Sequence, residues 1–420
     1  MRNRGGYGEL LRTSRAFRLL WFAQIASLFG DWFNVIASST LLAQLTGAGA
    51  ALGALFAVRM LGSFFASPLA GVLADRYNRK RILIVTDLLR AVVVLGLLLV
   101  REPHHVWLLF LLTGVQVGIS GVFFPVRVAI LPEIASRRLL GPANALSSAT
   151  WSTMLAVGAA AGGVFAGVFG IAAAFILDAA TYVVSALLLV RMPYSTDQKQ
   201  EVADAPVRLG ATLRAGIAEY TESLRYLWRH RRVLVVTLQK SFLSFFFSGF
   251  QVASVAIAGT VFPLGHAGGT TVGLLFAGGG LGSGLGPLVV QPFLRGRHRA
   301  LRAAMLVGHL LTGAALALAA PLAGLPLVLI ASAVRSVGAG MVWVFSTQLL
   351  LETVPDELRG RVIATEHAAM TLLGAAGSAC VGAGLEIGSL SAVVWLLAAL
   401  TLVPALHWAA YGVRGAREPR

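Results

Sequence analysis

The chain has 420 residues, 57% of them hydrophobic before its 47 glycines are counted and only 12% charged, whereas a soluble domain is about 45–50% apolar with glycine included and ~25% charged. A mean hydropathy of +0.79 leaves too little polar surface to cover a water-soluble body of this size, so the composition excludes a soluble domain and specifies a polytopic membrane protein. The formal net charge of +16 raises nucleic acid as a partner; where the basic residues fall along the chain argues against it.

Runs long enough to cross ~30 Å of hydrocarbon as helices are expected at 16–43, 52–74, 81–100, 106–131, 143–168 and 170–191, then at 233–258, 270–293, 302–321, 326–350, 361–386 and 389–412. The first run continues past Leu42 without a small-residue cleavage site, so it is read as a span and not as a signal peptide. Between 192 and 232 the chain turns polar, and Leu213, Ile217, Tyr220, Leu224 and Leu227 recur at helical spacing beside Arg214, Arg225 and Arg229. That pattern predicts an amphipathic helix on the membrane surface. The expected organisation is a first bundle at 1–192, a linker at 193–232 and a second bundle at 233–420.

Of the 34 Lys and Arg, 28 fall in the N-terminal tail, the C-terminal tail and alternate connections: 76–81, 137–138, 191–232, 295–302 and 359–361. The opposite connections carry almost none, Arg101 excepted. Basic residues accumulate on the cytoplasmic side of membrane proteins, so both termini are expected there, in the cell inner (plasma) membrane. The charge is thus assigned to topology and anionic lipid head groups, not to nucleic acid. The lone cysteine, Cys380, lies in an apolar run, so no disulfide framework exists. No His/Cys/Asp cluster has metal-ligand spacing, no nucleophile–base arrangement is recognisable, and no nucleotide-binding motif is present. No cofactor, metal or enzymatic activity is expected.

The second run ends in Gly71-Val72-Leu73-Ala74-Asp75-Arg76-Tyr77-Asn78-Arg79-Lys80. A basic loop alone accounts for Arg79 and Lys80, but not for Gly71 and Asp75 at their offsets. The spacing resembles the loop between helices 2 and 3 of major facilitator superfamily transporters. Asn78 stands where that pattern has Gly, and Asn is the next best residue for a left-handed turn. An offset of 219 positions lays Arg76 on Arg295, Lys80 on Arg299, Gly158 on Gly377 and Gly163 on Gly382. Such a repeat is how the two halves of this superfamily are related. Gly158, Gly162 and Gly163 also resemble a fifth-helix antiporter signature with Ala159 in place of its proline; independently, small residues allow close helix packing. Gly30-Asp31-Trp32, Pro125 with Arg127, and 354–361 resemble the branch of bacterial macrolide-type drug exporters and enterobactin-type siderophore exporters.

The fold this implies is all-α, with twelve transmembrane helices in two pseudo-symmetric six-helix bundles. The resemblance implies secondary transport by alternating access, with proton-coupled efflux of a hydrophobic or amphipathic small molecule as the first reading. An importer, uniporter or lysolipid translocator of the same fold is the alternative, and a non-transporting receptor or scaffold is a further one. A monomer is expected, with the substrate, protons and lipids as its partners. The resemblance also implies a gate formed by Gly71, Asp75, Arg76, Arg79 and Lys80, with Arg127 completing a relay to Asp75.

Charges inside spans cost at least ~2.5–3.5 kcal/mol each at mid-bilayer on insertion scales, so each needs a partner or a wet cavity. Asp31, Arg59 and Asp178 fall near mid-depth. Asp31 is read either as the partner of Arg59 or as a carboxylate that carries protons, and Asp178 as satisfied by the hydroxyls of Thr181 and Tyr182 or as a second proton carrier. Asp87 and Arg90, three apart, are expected to pair on one helix face. Glu366, Lys240 and Arg335 complete the candidates, the two bases either facing the cavity to attract anions or snorkelling and pairing. Phe242, Phe245, Phe246, Phe247 and Phe250 form an aromatic band that either packs or lines a pocket.

Overall fold

The computed structural model describes residues 6–194, 221, 224–294 and 298–413, apart from the side chains at 63, 67–72, 74–76, 137, 356–357, 360–361 and 411–413. Much of the expected linker helix, and Arg295 of the repeat, lie outside the described residues. No water is available in hydrocarbon to satisfy backbone N–H and C=O groups, so a spanning segment must close its hydrogen bonds internally. Among the described residues, twelve helices are long and apolar enough to do this. The helices are α1 (Arg15–Thr46), α2 (Gly49–Arg76), α3 (Arg79–Gly96), α4 (Val106–Ile134), α5 (Leu140–Phe169), α6 (Ile171–Val190), α7 (Arg231–Thr260), α8 (Gly269–Leu294), α9 (His298–Ala319), α10 (Leu325–Thr353), α11 (Asp356–Ile387) and α12 (Leu390–Ala410).

Local chemistry sets the ends. Ser14 caps α1 by accepting a hydrogen bond from Phe17 N at 3.1 Å, and Gly47 (φ 60°) ends that helix in the left-handed conformation that a Cβ disfavours. Asn78 departs from expectation. Its φ is −59°, not left-handed, and its side chain accepts from Arg81 N at 3.2 Å. It serves as the N-cap of α3, for which Asn is among the best residues.

Helix contacts repeat on adding six: α1 packs on α5, α2 on α4, and α3 on α4 and α6, while α7 packs on α11, α8 on α10, and α9 on α10 and α12. The two bundles meet where α5 crosses α8 and α2 crosses α11. Glycine makes both crossings possible. A Cβ on Gly163 would lie 2.4 Å from Gly273 Cα, and one on Gly382 would lie 2.8 Å from Gly53 Cα. Gly158 faces Trp32 of α1 and Gly377 faces Phe245 of α7, so residues 219 apart occupy matching places on helices six apart.

The apolar core is unequal along the bilayer normal. Near the face opposite the basic loops, one cluster runs through both bundles and joins Phe33, Phe175 and Ala159 to Phe250, Val272 and Val381. Toward the basic face it splits. Leu20, Leu83 and Ile130 belong to a cluster confined to the first bundle, while Met305, Phe345 and Leu349 belong to one in the second. The bundles are therefore packed together on the non-basic side and have separate cores on the basic side.

Candidate functional site

In the first bundle, α6 presents Asp178, Tyr182 and Ser185 on one stripe, and all three are buried. Tyr182 is the centre of the resulting cluster. Its hydroxyl donates to Asp31 Oδ1 of α1 at 2.5 Å and accepts from Gln116 Nε2 of α4 at 3.1 Å. On its other side, the Arg90 guanidinium lies 4.4 Å from the Tyr182 ring and 4.3 Å from that of Phe123. Arg90 pairs with Asp87, as the three-residue spacing predicts, and Ser185 Oγ donates to Asp87 Oδ2 at 2.6 Å.

For Asp31 and Asp178 the structure disfavours the first of the two readings. Asp31 and Arg59 form no direct ion pair: Asp31 is held by Tyr182, and Arg59 Nη1 donates to Asn34 Oδ1 at 3.3 Å. The α1 turn carrying Asp31 and Asn34 puts the neutral amide nearer to α2. Nor do hydroxyls satisfy Asp178. Thr181 Oγ1 donates to the Asp178 backbone carbonyl at 2.7 Å, Tyr182 is engaged by Asp31, and the Asp178 carboxylate accepts from neither hydroxyl, with the Asn34 side-chain amide beside it. Asp178 instead abuts Gly30, whose absent Cβ would lie 2.4 Å from Oδ1, with Asp31, Arg90 and Arg59 as its charged neighbours. Three carboxylates thus face two guanidiniums in one low-dielectric cluster. Asn34, Gln116, Tyr182 and Ser185 were not singled out as site residues from the sequence. The available signal was the polar stripe Asp178, Tyr182, Ser185 at helical spacing in an otherwise apolar run.

The second bundle is organised differently. Lys240 of α7 donates to Glu366 of α11 at 2.8 Å with both side chains buried, and its Nζ lies 5.3 Å from the Trp343 ring. Of the two alternatives for Lys240, the structure has the ion pair. His309, also buried, contacts Gln239 Oε1 at 2.9 Å. Arg335 is buried at 3% exposure and stacks 4.6 Å from the Phe250 ring. With Phe247, Phe250, Gln251, Phe276 and Leu155 it lines a small cavity of about 10 Å³ between the bundles. A larger cavity, about 510 Å³, opens at the non-basic end among Gln44, Leu52, Thr260 and Leu385, and no ionisable side chain among the described residues lines it.

At the basic face, Arg79 Nη1 donates to Ala129 O and Glu133 Oε1, each at 2.6 Å, and Lys80 Nζ donates to Val190 O at 2.9 Å and Met192 O at 2.7 Å. Both loop bases therefore fasten α3 to the ends of α4 and α6 within the first bundle. Tyr194 joins the latch through Glu133; partial burial and that hydrogen bond hold its phenol above the ordinary value, so it stays a donor. Arg127 is buried and donates to Gln24 Oε1, while Gln24 Nε2 donates to Ser147 O at 3.1 Å. The side chains of Gly71, Asp75 and Arg76 lie outside the described residues.

Residues 20–266 match the family model described as Major Facilitator Superfamily. The chain belongs to the major facilitator superfamily. It is 26% identical over 378 residues to the uncharacterized MFS-type transporter YfiS of Bacillus subtilis (strain 168), covering 88% of this chain and 87% of that protein. It is 25% identical over 355 residues to the multidrug efflux pump Tap of Mycolicibacterium fortuitum, covering 82% and 83% respectively. A putative bacilysin exporter, BacE of Bacillus amyloliquefaciens, is 32% identical over 193 residues, 45% of this chain and 47% of that one. Among solved structures, a POT family transporter in complex with 5-aminolevulinic acid superposes with a TM-score of 0.74 over 96% of this chain and 97% of that one at 12% identity. A bacterial homologue of ferroportin in an inward-facing state gives 0.70 over 94% and 99% at 14% identity. These likenesses show the fold. The superfamily member described here is a multi-pass membrane transporter, not an enzyme.

Proposed function

We propose that the chain exports a hydrophobic or amphipathic small molecule in exchange for protons, by alternating access. Its basic face would lie in the cytoplasm and its two bundles, 1–192 and 233–420, would rock about the central cavities, joined by the linker at 193–232. The observation that carries the proton assignment is the excess of carboxylates over guanidiniums around Tyr182: Asp31, Asp87 and Asp178 against Arg59 and Arg90. One proton balances that cluster. Of the three carboxylates Asp31 is the half-buried one, and protonation removes the charge that holds the Tyr182 hydroxyl between α1 and α6. The direction of transport is supported by relatives named for efflux and export. The separate cores toward the basic face and the shared core opposite support a conformation open to the cytoplasm.

The test is flux of a labelled substrate panel in inverted vesicles with and without an imposed pH gradient. Wild type should concentrate a substrate only with the gradient. Asp31→Asn should lose uphill transport and keep downhill exchange. If Asp31→Asn still concentrates substrate, the proton site lies elsewhere, and Glu366 and then Asp178 are the next residues to neutralise. Flux indifferent to pH in wild type would remove proton coupling and favour the importer or uniporter reading.

A further inference from the structure

Among the described residues, Lys240 has Glu366, Arg90 has Asp87, and Arg59 has Asp31 and Asp178 in its field, while Arg127, nearer the basic face, donates to the Gln24 amide oxygen. Arg335 has no charged partner among the described residues. Its Nη2 donates to Ser336 Oγ at 3.0 Å, while Nε and Nη1 make no hydrogen bond. The faces of Phe250 and Phe247, 4.6 and 5.8 Å from the guanidinium carbon, attract a cation, but by about 2 kcal/mol when desolvated, which falls short of what burying an unpaired charge costs. Serine and aromatic faces leave the positive charge uncompensated.

The surroundings leave a small space beside this group. Gly279 of α8 faces it, with a built Cβ falling 3.9 Å from Arg335 Nη2 and 3.4 Å from Ser336 Oγ. The cavity that Arg335 lines has room for about one water-sized group. Gln251, buried on the same wall, donates no hydrogen bond among the described residues and offers an amide. Leu155, on α5 of the opposite bundle, closes the cavity. Parting of the bundles would therefore enlarge it, as binding of a cargo requires. An arginine fork matches the two oxygens of a carboxylate and gains from charge-assisted hydrogen bonds in a water-poor site.

We propose that Arg335 is an anion subsite that takes the carboxylate of an amphipathic cargo, whose apolar body lies against Phe247, Phe250 and Phe276. This rests on the reading of the chain as an exporter of amphipathic molecules and narrows that class to monoanionic acids with a hydrophobic or aromatic body. The neutral Phe wall selects the body, and the guanidinium selects the head.

The experiment uses the purified full-length protein in detergent and a matched pair of probes, 4-phenylbutyrate and 4-phenylbutanamide, with tryptophan fluorescence as readout; the Trp32 ring stands edge-on to Phe276 at 6.2 Å. Wild type should bind the acid roughly tenfold or more tighter than the amide, the preference that charge-assisted hydrogen bonds confer. Arg335→Gln should bring the two probes to parity, and Arg335→Lys should keep part of the preference. The unliganded Arg335→Gln and Arg335→Met proteins should elute as wild type and unfold at the same or a higher temperature. Parity in wild type, absence of binding by either probe, an acid preference that survives Arg335→Gln, or misfolding of both neutral variants would each overturn the proposal. Binding is read without a gradient, so absence of proton coupling in vesicles leaves this result unaffected.

Discussion

The α5–α8 crossing can be loosened at one atom. A Cβ on Gly163 would sit 2.4 Å from Gly273 Cα and 2.7 Å from Gly269 O, where carbon atoms prefer about 3.5–4.0 Å. Both nearest atoms are backbone, so no side chain can rotate away, and the helices must separate by more than about 1 Å. Gly163→Val should therefore cost about 1–3 kcal/mol in the conformation described here. A conformation in which α5 and α8 part on the non-basic side escapes that cost, so the equilibrium should move toward it by roughly 5- to 150-fold. A Cys380→Ser background carrying Thr260→Cys places a single thiol in the 510 Å³ cavity at the non-basic end. Its labelling by a membrane-impermeant maleimide, added from that side, should accelerate in Gly163→Val. Gly382→Val, at the matching α2–α11 crossing, should act in the same direction. Gly284→Ala, where a Cβ meets nothing within 4 Å, should leave the rate unchanged. If Gly163→Val labels no faster than Gly284→Ala while remaining folded, this crossing does not hold the bundles together.

Other outcomes follow from the charges. Lys240→Met leaves Glu366 buried without its counter-ion and should destabilise the protein by about 3–5 kcal/mol, read as a lowered unfolding temperature in detergent. Adding Glu366→Gln should recover most of the loss, and a single variant as stable as wild type would argue that Glu366 is not charged opposite Lys240. Asp75→Asn should lower transport without impairing membrane insertion, because the resemblance to the superfamily loop implies that Asp75 belongs to the gate on the basic face; unchanged flux would remove Asp75 from the gate.

Twelve spans, the likeness to the superfamily and the small-residue face of α5 around Gly163 were legible because each depends on local properties. An apolar run of about 20 residues must become a helix in hydrocarbon, and clustered glycines mark surfaces that another backbone can approach. The sequence also located the charges by depth. Their partners came only from the tertiary structure. Tyr182 reaches Asp31 across 151 positions and Lys240 reaches Glu366 across 126, and such pairings depend on how each helix is rotated about its own axis. A uniformly hydrophobic span shows little of that rotation, because lipid and protein interior are almost equally apolar. Of the two readings of Asp31, direct pairing with Arg59 is not what the helices adopt for this reason: both residues are at suitable depth, yet Asn34 faces Arg59. Arg335 carries the same lesson. As a residue type at mid-depth it resembles Lys240, and only the packed bundle gave Lys240 a carboxylate and Arg335 two aromatic faces and a cavity.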